Sequence, residues 1–199
     1  MEKRLSKIKK IATLFALAIA VFLIIAIIFS PFSNHKGWEG RQIIHTVTIN
    51  APVEAVFNYL GNSNNARNWS VYVDHITTTN TDKIPDGQVG SERRCFVEKD
   101  ETGIIWDERI TEVVPNIKRQ LIIYNLQGFP MVANNLATEQ LYKKINKKQT
   151  ELSFTLFYKD GHPTYWETFK TYLAAHKIKS IFRQNMDNIR SIIEDEVKM

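Results

Sequence analysis

The sequence predicts an α+β fold in which one antiparallel sheet curls around one long C-terminal helix, behind an N-terminal transmembrane helix. Three observations predict it. An apolar run without charges opens the chain, alternating apolar segments fill its middle, and a helical apolar stripe occupies its last 35 residues. Strands grouped together and followed by a helix are typical of the α+β class. One wide stripe on the last helix needs one large apolar surface to cover it.

The apolar run covers Ile11–Ser30, 20 residues without charge, Gly or Pro. At ~1.5 Å rise per residue such a helix is about 30 Å long and spans a bilayer core. Five basic residues lie within residues 1–10, against Lys36 and Arg41 after the run. The positive-inside rule therefore predicts a cytoplasmic tail at 1–10, a transmembrane helix at 11–30 and a domain on the outer side of the cytoplasmic membrane. The alternative is a cleaved signal peptide, whose apolar region is shorter and ends in a small-x-small site.

Charge and cysteine content limit the partners. The chain has net charge +5, with 26 basic and 21 acidic residues, and the first ten residues contribute +4 of it. A nucleic-acid module concentrates positive charge in its folded part, so we expect no nucleic-acid partner. Cys95 is the single cysteine and excludes an internal disulfide. We expect it to be a small buried apolar residue, with a nucleophile as the alternative.

Residues 31–41 form a short stem, in which Phe32 and Trp38 are candidate interfacial anchors. A single domain, 42–199, follows. It opens with an alternating strand at Gln42–Ile49, and Pro52 then begins a helix that ends at Gly61. A second short helix is predicted over Asn62–Tyr72.

Six strands come next. They are predicted at Val73–Thr79, Val89–Glu98, Ile104–Val114, Ile117–Leu126, Thr138–Ile145 and Thr150–Lys159. The loop 127–136 carries Phe129, Pro130 and Met131, which form either a mobile lid or an apolar loop packed on the helix. The last helix follows Gly161–Pro163, and its apolar stripe includes Phe182 and Met186.

Few residues point to catalysis. No nucleophile elbow, zinc-protease motif or phosphate loop occurs, and the five histidines are scattered, so we expect no metal and no cofactor. His45 shares a strand face with apolar residues and is either a core histidine or a polar group in a cavity. Strand alternation places Arg93 with Cys95 on one face, and Trp106, Glu108 and Glu112 together on another. These charges are either cavity groups or a surface ladder.

The order of elements and several segments resemble the SRPBCC superfamily of START-like, helix-grip proteins, and within it the polyketide cyclase/dehydrase group. The matching segments are Ile49–Phe57, Trp69, Gly87–Gly90, Trp106–Glu108 and Thr150–Leu152. The resemblance implies a cavity between sheet and C-terminal helix that takes hydrophobic ligands. The candidate cavity residues are His45, Trp69, Arg93, Trp106, Glu108, Tyr124, Phe129, Phe182 and Met186.

These observations favour a membrane-anchored domain that binds a hydrophobic small molecule or lipid. The first alternative is a cyclase/aromatase-like enzyme that moves protons with polar groups of the cavity. The second is a non-catalytic interaction module whose cavity is filled by its own side chains. Because a shared fold does not choose among these functions, all three stay open here.

Overall fold

The computed structural model describes residues 2–128, 134–160 and 163–198, and in the first helix the side chains from residue 6 onward. Its helices are α1 (Glu2–Ile28), α2 (Val53–Gly61), α3 (Ala66–Trp69) and α4 (Tyr165–Lys198), with a 3-10 turn at Ser63–Asn65. Its strands are β1 (Ser33–Asn34), β2 (Arg41–Ile49), β3 (His75–Thr78), β4 (Glu92–Phe96), β5 (Ile105–Val114), β6 (Lys118–Gln127), β7 (Leu136–Asn146) and β8 (Gln149–Tyr158). The α+β prediction is confirmed.

These strands form one antiparallel sheet in the order β1-β2-β8-β7-β6-β5-β4-β3. Because β2 pairs with β8, the first and last long strands meet in the sheet, and α4 packs against that region. Strands β3 to β8 follow one another as neighbours, so each strand is connected directly to the next one in the sheet. The fold is the helix-grip arrangement that the sequence predicts.

The core consists of two apolar clusters at different levels of α4. One joins α2 to the C-terminal half of α4 and includes Phe57, Met186 and Ile189. The other lies near the start of α4, around Leu156 and Ala175. Phe182 packs against both clusters from the segment of α4 between them. The middle of α4 lies between the two clusters and therefore faces a part of the domain that neither cluster fills.

Helix α1 contains, within the described chain, a single candidate span at Ser6–Ile28, with 23 residues and a mean hydropathy of 3.1. It ends two residues before the predicted Ser30, since Pro31 disfavours helical geometry in the residue before it. A membrane anchor satisfies this length and hydropathy, and an N-terminal signal sequence can also satisfy them.

The stem does not place both of its aromatic residues at a membrane interface. Phe32 is only 3% exposed, because pairing of β1 with β2 holds it against Tyr158 and Tyr172 in edge-to-face contacts. The prediction that Phe32 is an interfacial anchor is therefore wrong. Trp38 is half-buried and its ring contacts Phe157, with 4.9 Å between centroids.

Two local predictions also need correction. The second short helix is a 3-10 turn followed by one α-helical turn, because the Ser70 hydroxyl accepts from the amides of Tyr72 and Val73 and bends the chain. In β5, a register shift between Ile110 and Glu112 moves Glu112 off the face of the preceding strand residues. Glu112 instead forms a 2.8 Å ion pair with Lys118 near the surface.

Candidate functional site

A cavity of about 250 Å³ lies between the sheet and the middle of α4. Its walls are mainly apolar and come from α2, the 3-10 turn, α3, the segment after α3, β3 to β8 and α4. They include Leu60, Ala66, Trp69, Tyr72, Val73, Ile76, Cys95, Trp106, Leu121, Ile123, Leu126, Leu136, Phe154, Leu156, Ile178, Ile181 and Phe182. The prediction of a cavity filled by the chain's own side chains does not fit this open volume.

One ion pair forms the polar part of the wall. Arg93 Nε donates to Glu108 Oε2 at 2.7 Å, and the side chains are only 9% and 12% exposed. The pair follows from the register of β4 and β5, which places Arg93 opposite Glu108 and Cys95 opposite Trp106. All four side chains line the cavity, so the two faces assigned from the sequence are one face of the sheet.

Two further hydrogen bonds extend the Arg93–Glu108 ion pair into a polar cluster. Trp106 Nε1 donates to Glu108 Oε1 at 2.9 Å, and Arg93 Nη1 donates to Ser63 Oγ at 3.1 Å. Both oxygens of the Glu108 carboxylate therefore accept hydrogen bonds. A buried carboxylate held by a cation and an indole N–H is a fixed, preorganised acceptor.

The environment sets the protonation of the neighbouring groups. Burial disfavours the charge of Arg93, but the Glu108 carboxylate and the other acidic groups nearby together outweigh this effect, so the pKa of Arg93 is raised. For Cys95, burial and then the Glu108 charge raise the pKa well above its ordinary value. Cys95 is thus a neutral thiol at pH 7, which favours the prediction of a buried apolar residue over a nucleophile.

Aromatic rings and one asparagine shape the wall near α3. Tyr72 stacks on Trp106, with 6.2 Å between centroids, and Phe154 meets Phe182 edge to face at 5.9 Å. Asn185 Oδ1 accepts from the Val71 amide at 2.8 Å, which fastens the segment after α3 onto α4. Trp69 Nε1 is buried without a hydrogen-bond partner in the described chain.

Five of the nine predicted cavity residues border this cavity: Trp69, Arg93, Trp106, Glu108 and Phe182. Phe129 lies outside the described residues, as do Pro130 and Met131 of the predicted lid. The remaining three, His45, Tyr124 and Met186, are placed elsewhere.

His45 is half-buried on β2, opposite Phe154, and does not line the cavity. Burial, then the charges of Lys179 and Arg183, lower its pKa. Tyr124 lies on the other face of the sheet, where the Arg109 guanidinium sits 5.5 Å from its ring centroid. Met186 is fully buried in the core cluster around α2, which closes the space beneath that turn of α4.

Most of the lining was not predicted from the sequence, and Ser63, Tyr72 and Asn185 are examples with polar groups. Asn185 had a usable signal, because it is a polar residue three positions after Phe182 on the apolar stripe of α4. Ser63 had none, since its role depends on Arg93, 30 residues away. Among the described residues, no three His, Cys, Asp or Glu side chains group as metal ligands.

The fold and the site together define a helix-grip domain with an apolar cavity between sheet and α4 and a buried ion pair in the cavity wall. A family model described as "Polyketide cyclase / dehydrase and lipid transport" matches residues 41–194. The chain therefore belongs to this family, as the resemblance of its sequence predicts. No curated protein sequence gives a match.

Solved structures show the same fold at low sequence identity. The protein XoxI from Bacillus cereus has 15% identity and a TM-score of 0.56, over 77% of this chain and 96% of that protein. The di-domain ARO/CYC BexL from the BE-7585A biosynthetic pathway has 10% identity and a TM-score of 0.60, over 77% of this chain and 46% of BexL. The di-domain ARO/CYC StfQ from the steffimycin biosynthetic pathway has 14% identity and a TM-score of 0.57, over 78% of this chain and 45% of StfQ.

Proposed function

We propose that this protein binds a hydrophobic small molecule or lipid in the cavity between sheet and α4, on a domain anchored to the cytoplasmic membrane. The observation that carries the proposal is an open cavity of about 250 Å³ with an apolar wall and one buried ion pair. Apolar cavities with a few convergent polar groups are the usual form of small-molecule sites.

The cavity volume suits a compact ligand. A dry apolar cavity of roughly 150 Å³ holds one benzene molecule. The larger cavity here therefore suits a fused ring system or part of an acyl chain. Its wall supplies orientation as well as burial, because the Arg93–Glu108 ion pair gives the wall a polar part that the polar end of a ligand can face.

The anchor places the cavity where such ligands dissolve. Ser30 Oγ donates to the Tyr172 carbonyl at 3.0 Å, which joins the end of α1 to the helix that forms one cavity wall. The basic residues before the span predict a cytoplasmic N-terminus and a domain outside the cytoplasm. Tethering beside the bilayer raises the effective concentration of membrane-dissolved ligands at the cavity. Protease added to spheroplasts should digest the domain, and protection until lysis would contradict this orientation.

A second candidate function is an enzyme of the cyclase/aromatase kind. The family match and the similarity to two ARO/CYC proteins favour it. In this chain Glu108 is the group suited to accept or return a proton at the cavity wall, with Arg93 and Trp106 fixing its orientation. Glu108→Gln would then abolish turnover while ligand binding persists. Equal turnover in the wild type and in Glu108→Gln would argue against this mechanism.

The binding proposal is tested by calorimetric titration of the full chain in lipid nanodiscs with 2-naphthol, a neutral two-ring phenol, using empty nanodiscs as the blank. We expect saturable one-to-one binding that weakens about tenfold or more in Trp106→Ala. The matched control is Trp166→Ala, because Trp166 is 63% exposed and lies outside the cavity. Native mass spectrometry of the untreated protein then identifies any co-purified ligand. No saturable binding, or equal loss in both variants, would refute the proposal.

A further inference from the structure

Arg119 of β6 is a buried cation without a carboxylate partner in the described chain. It is 2% exposed, and none of the ion pairs within 4.0 Å includes it. Its guanidinium carbon lies 4.5 Å from the centroid of the Phe57 ring. Its Nη1 donates to Gln140 Oε1 at 3.2 Å and to the Tyr142 hydroxyl at 3.1 Å, both neutral acceptors. A buried charge normally has an ionic partner, because removing it from water is costly.

The opposite edge of this guanidinium is free. Nε is buried and has no hydrogen-bond partner in the described chain, and Nη2 donates to none of the described residues. Because Nε is closed off by its surroundings, the N–H groups of Nη2 are the ones that a ligand can reach. Such N–H groups donate to the oxygens of a carboxylate or phosphate.

The approach to Nη2 is kept open by a glycine. A Cβ on Gly61, at the end of α2, would lie 3.0 Å from Arg119 Nη2. Arg119 and Gly61 both line a surface hollow that is distinct from the main cavity. Its polar rim consists of Asn58, Asn62, Asn64, Thr78, Thr81, Asp86 and Gln88.

We propose that Arg119 binds an oxyanion, a carboxylate or phosphate group, through Nη2 in this hollow. The amides and hydroxyls of the rim supply additional donors to the same anion. This site goes beyond the proposed hydrophobic ligand, because it recognises charge and opens on another surface. The anion is either a free small ion or the headgroup of an anionic lipid.

Two other charges influence the site. The Asp86 carboxylate accepts from the amide and the hydroxyl of Ser63 at 2.7 and 2.8 Å, so it is directed at Ser63. Its negative charge nevertheless opposes anion binding, whereas the charge of Arg93 favours it. Burial is the main cause that lowers the pKa of Arg119, and a bound anion would offset that desolvation.

The test is calorimetry on the full chain in maltoside micelles, which contain no phosphate. Inorganic phosphate and acetate are titrated at fixed ionic strength, with chloride as the reference, and phosphatidic acid in mixed micelles forms a separate arm. Gly61→Ala is the blocking variant, because it keeps Arg119 and closes the approach. Asp86→Asn removes the opposing charge, and Arg119→Met removes the cation. Arg109→Met is the control, since the Arg109 side chain is 47% exposed on the other side of the sheet.

We expect one anion per chain, binding weakened about tenfold or more in Gly61→Ala and lost in Arg119→Met. Asp86→Asn should tighten binding roughly threefold, and Arg109→Met should leave it unchanged. Binding of phosphate or acetate identifies a free ion, and binding of phosphatidic acid alone identifies a lipid headgroup. If Arg119→Met does not fold, the proposal is tested by the other two variants, because Gly61→Ala should weaken anion binding and Asp86→Asn should tighten it. No binding in any arm, or binding unaffected by Gly61→Ala, would overturn the proposal.

Discussion

Phe182 and Met186 lie one helical turn apart on α4, but only Phe182 borders the cavity. Met186 is fully buried among core residues, so Met186→Ala removes contacts on all sides and opens a new void. Such truncations cost ~2–5 kcal/mol of unfolding free energy. Phe182 is half-buried and already faces open volume, so Phe182→Ala mainly extends an existing cavity. We expect it to cost only about 1–2 kcal/mol, although Phe is the larger side chain.

The assay is urea unfolding of the full chain in micelles, followed by near-UV circular dichroism. Met186→Ala is the matched control, because both substitutions are on one face of one helix. Saturating 2-naphthol should stabilise the wild type more than Phe182→Ala, since the ligand loses one wall of its site. A cost of ~3–5 kcal/mol for Phe182→Ala, at or above that of Met186→Ala, would refute the reasoning that Phe182 lines an open cavity.

Three further predictions follow from buried groups of the sheet. Arg93→Met should lower the unfolding free energy by about 3–5 kcal/mol at pH 7, because it leaves the Glu108 charge buried and unpaired; a loss under 1 kcal/mol by urea unfolding would contradict this. Hydrogen bonds from Arg94 lower the pKa of Asp107, so its stabilisation is present above the unfolded pKa of about 4 and is lost as the pH falls through the lower folded pKa. The unfolding free energy of Asp107→Asn should therefore fall less steeply than that of the wild type as the pH is lowered. An unchanged dependence on pH would contradict a stabilising role for the Arg94–Asp107 pair. Cys95 should resist maleimide in the folded protein and react on unfolding in urea, whereas rapid labelling of the native protein would show that it is accessible.

Periodicity predicted the fold because the strands and α4 each bury a single face. The apolar stripe of α4 and the alternation of β2 need only local sequence, and both elements form where the pattern indicates. The errors arise where a local rule is interrupted. The shift after Ile110 reverses the alternation for Glu112, and the pairing of β1 draws Phe32 into the core.

The site was less predictable, because it depends on register and on contacts between distant segments. Alternation placed Arg93 and Glu108 on strand faces, but only the β4–β5 register makes them partners. Met186 shares the apolar stripe of α4 with Phe182, and the position of α2 decides which of the two faces the cavity. The position of Ser63 at the cavity wall depends on a bend of the chain that no hydrophobic periodicity predicts.

The central claim is that the cavity is an open hydrophobic binding site, and Ala66→Leu tests it most directly. Ala66 is 2% exposed and lines the cavity, so a leucine there projects into volume that a ligand would occupy. We predict that 2-naphthol binding to the full chain in nanodiscs falls at least about tenfold, while the unfolding free energy is unchanged or rises. Undiminished binding by a stable Ala66→Leu protein would contradict the account.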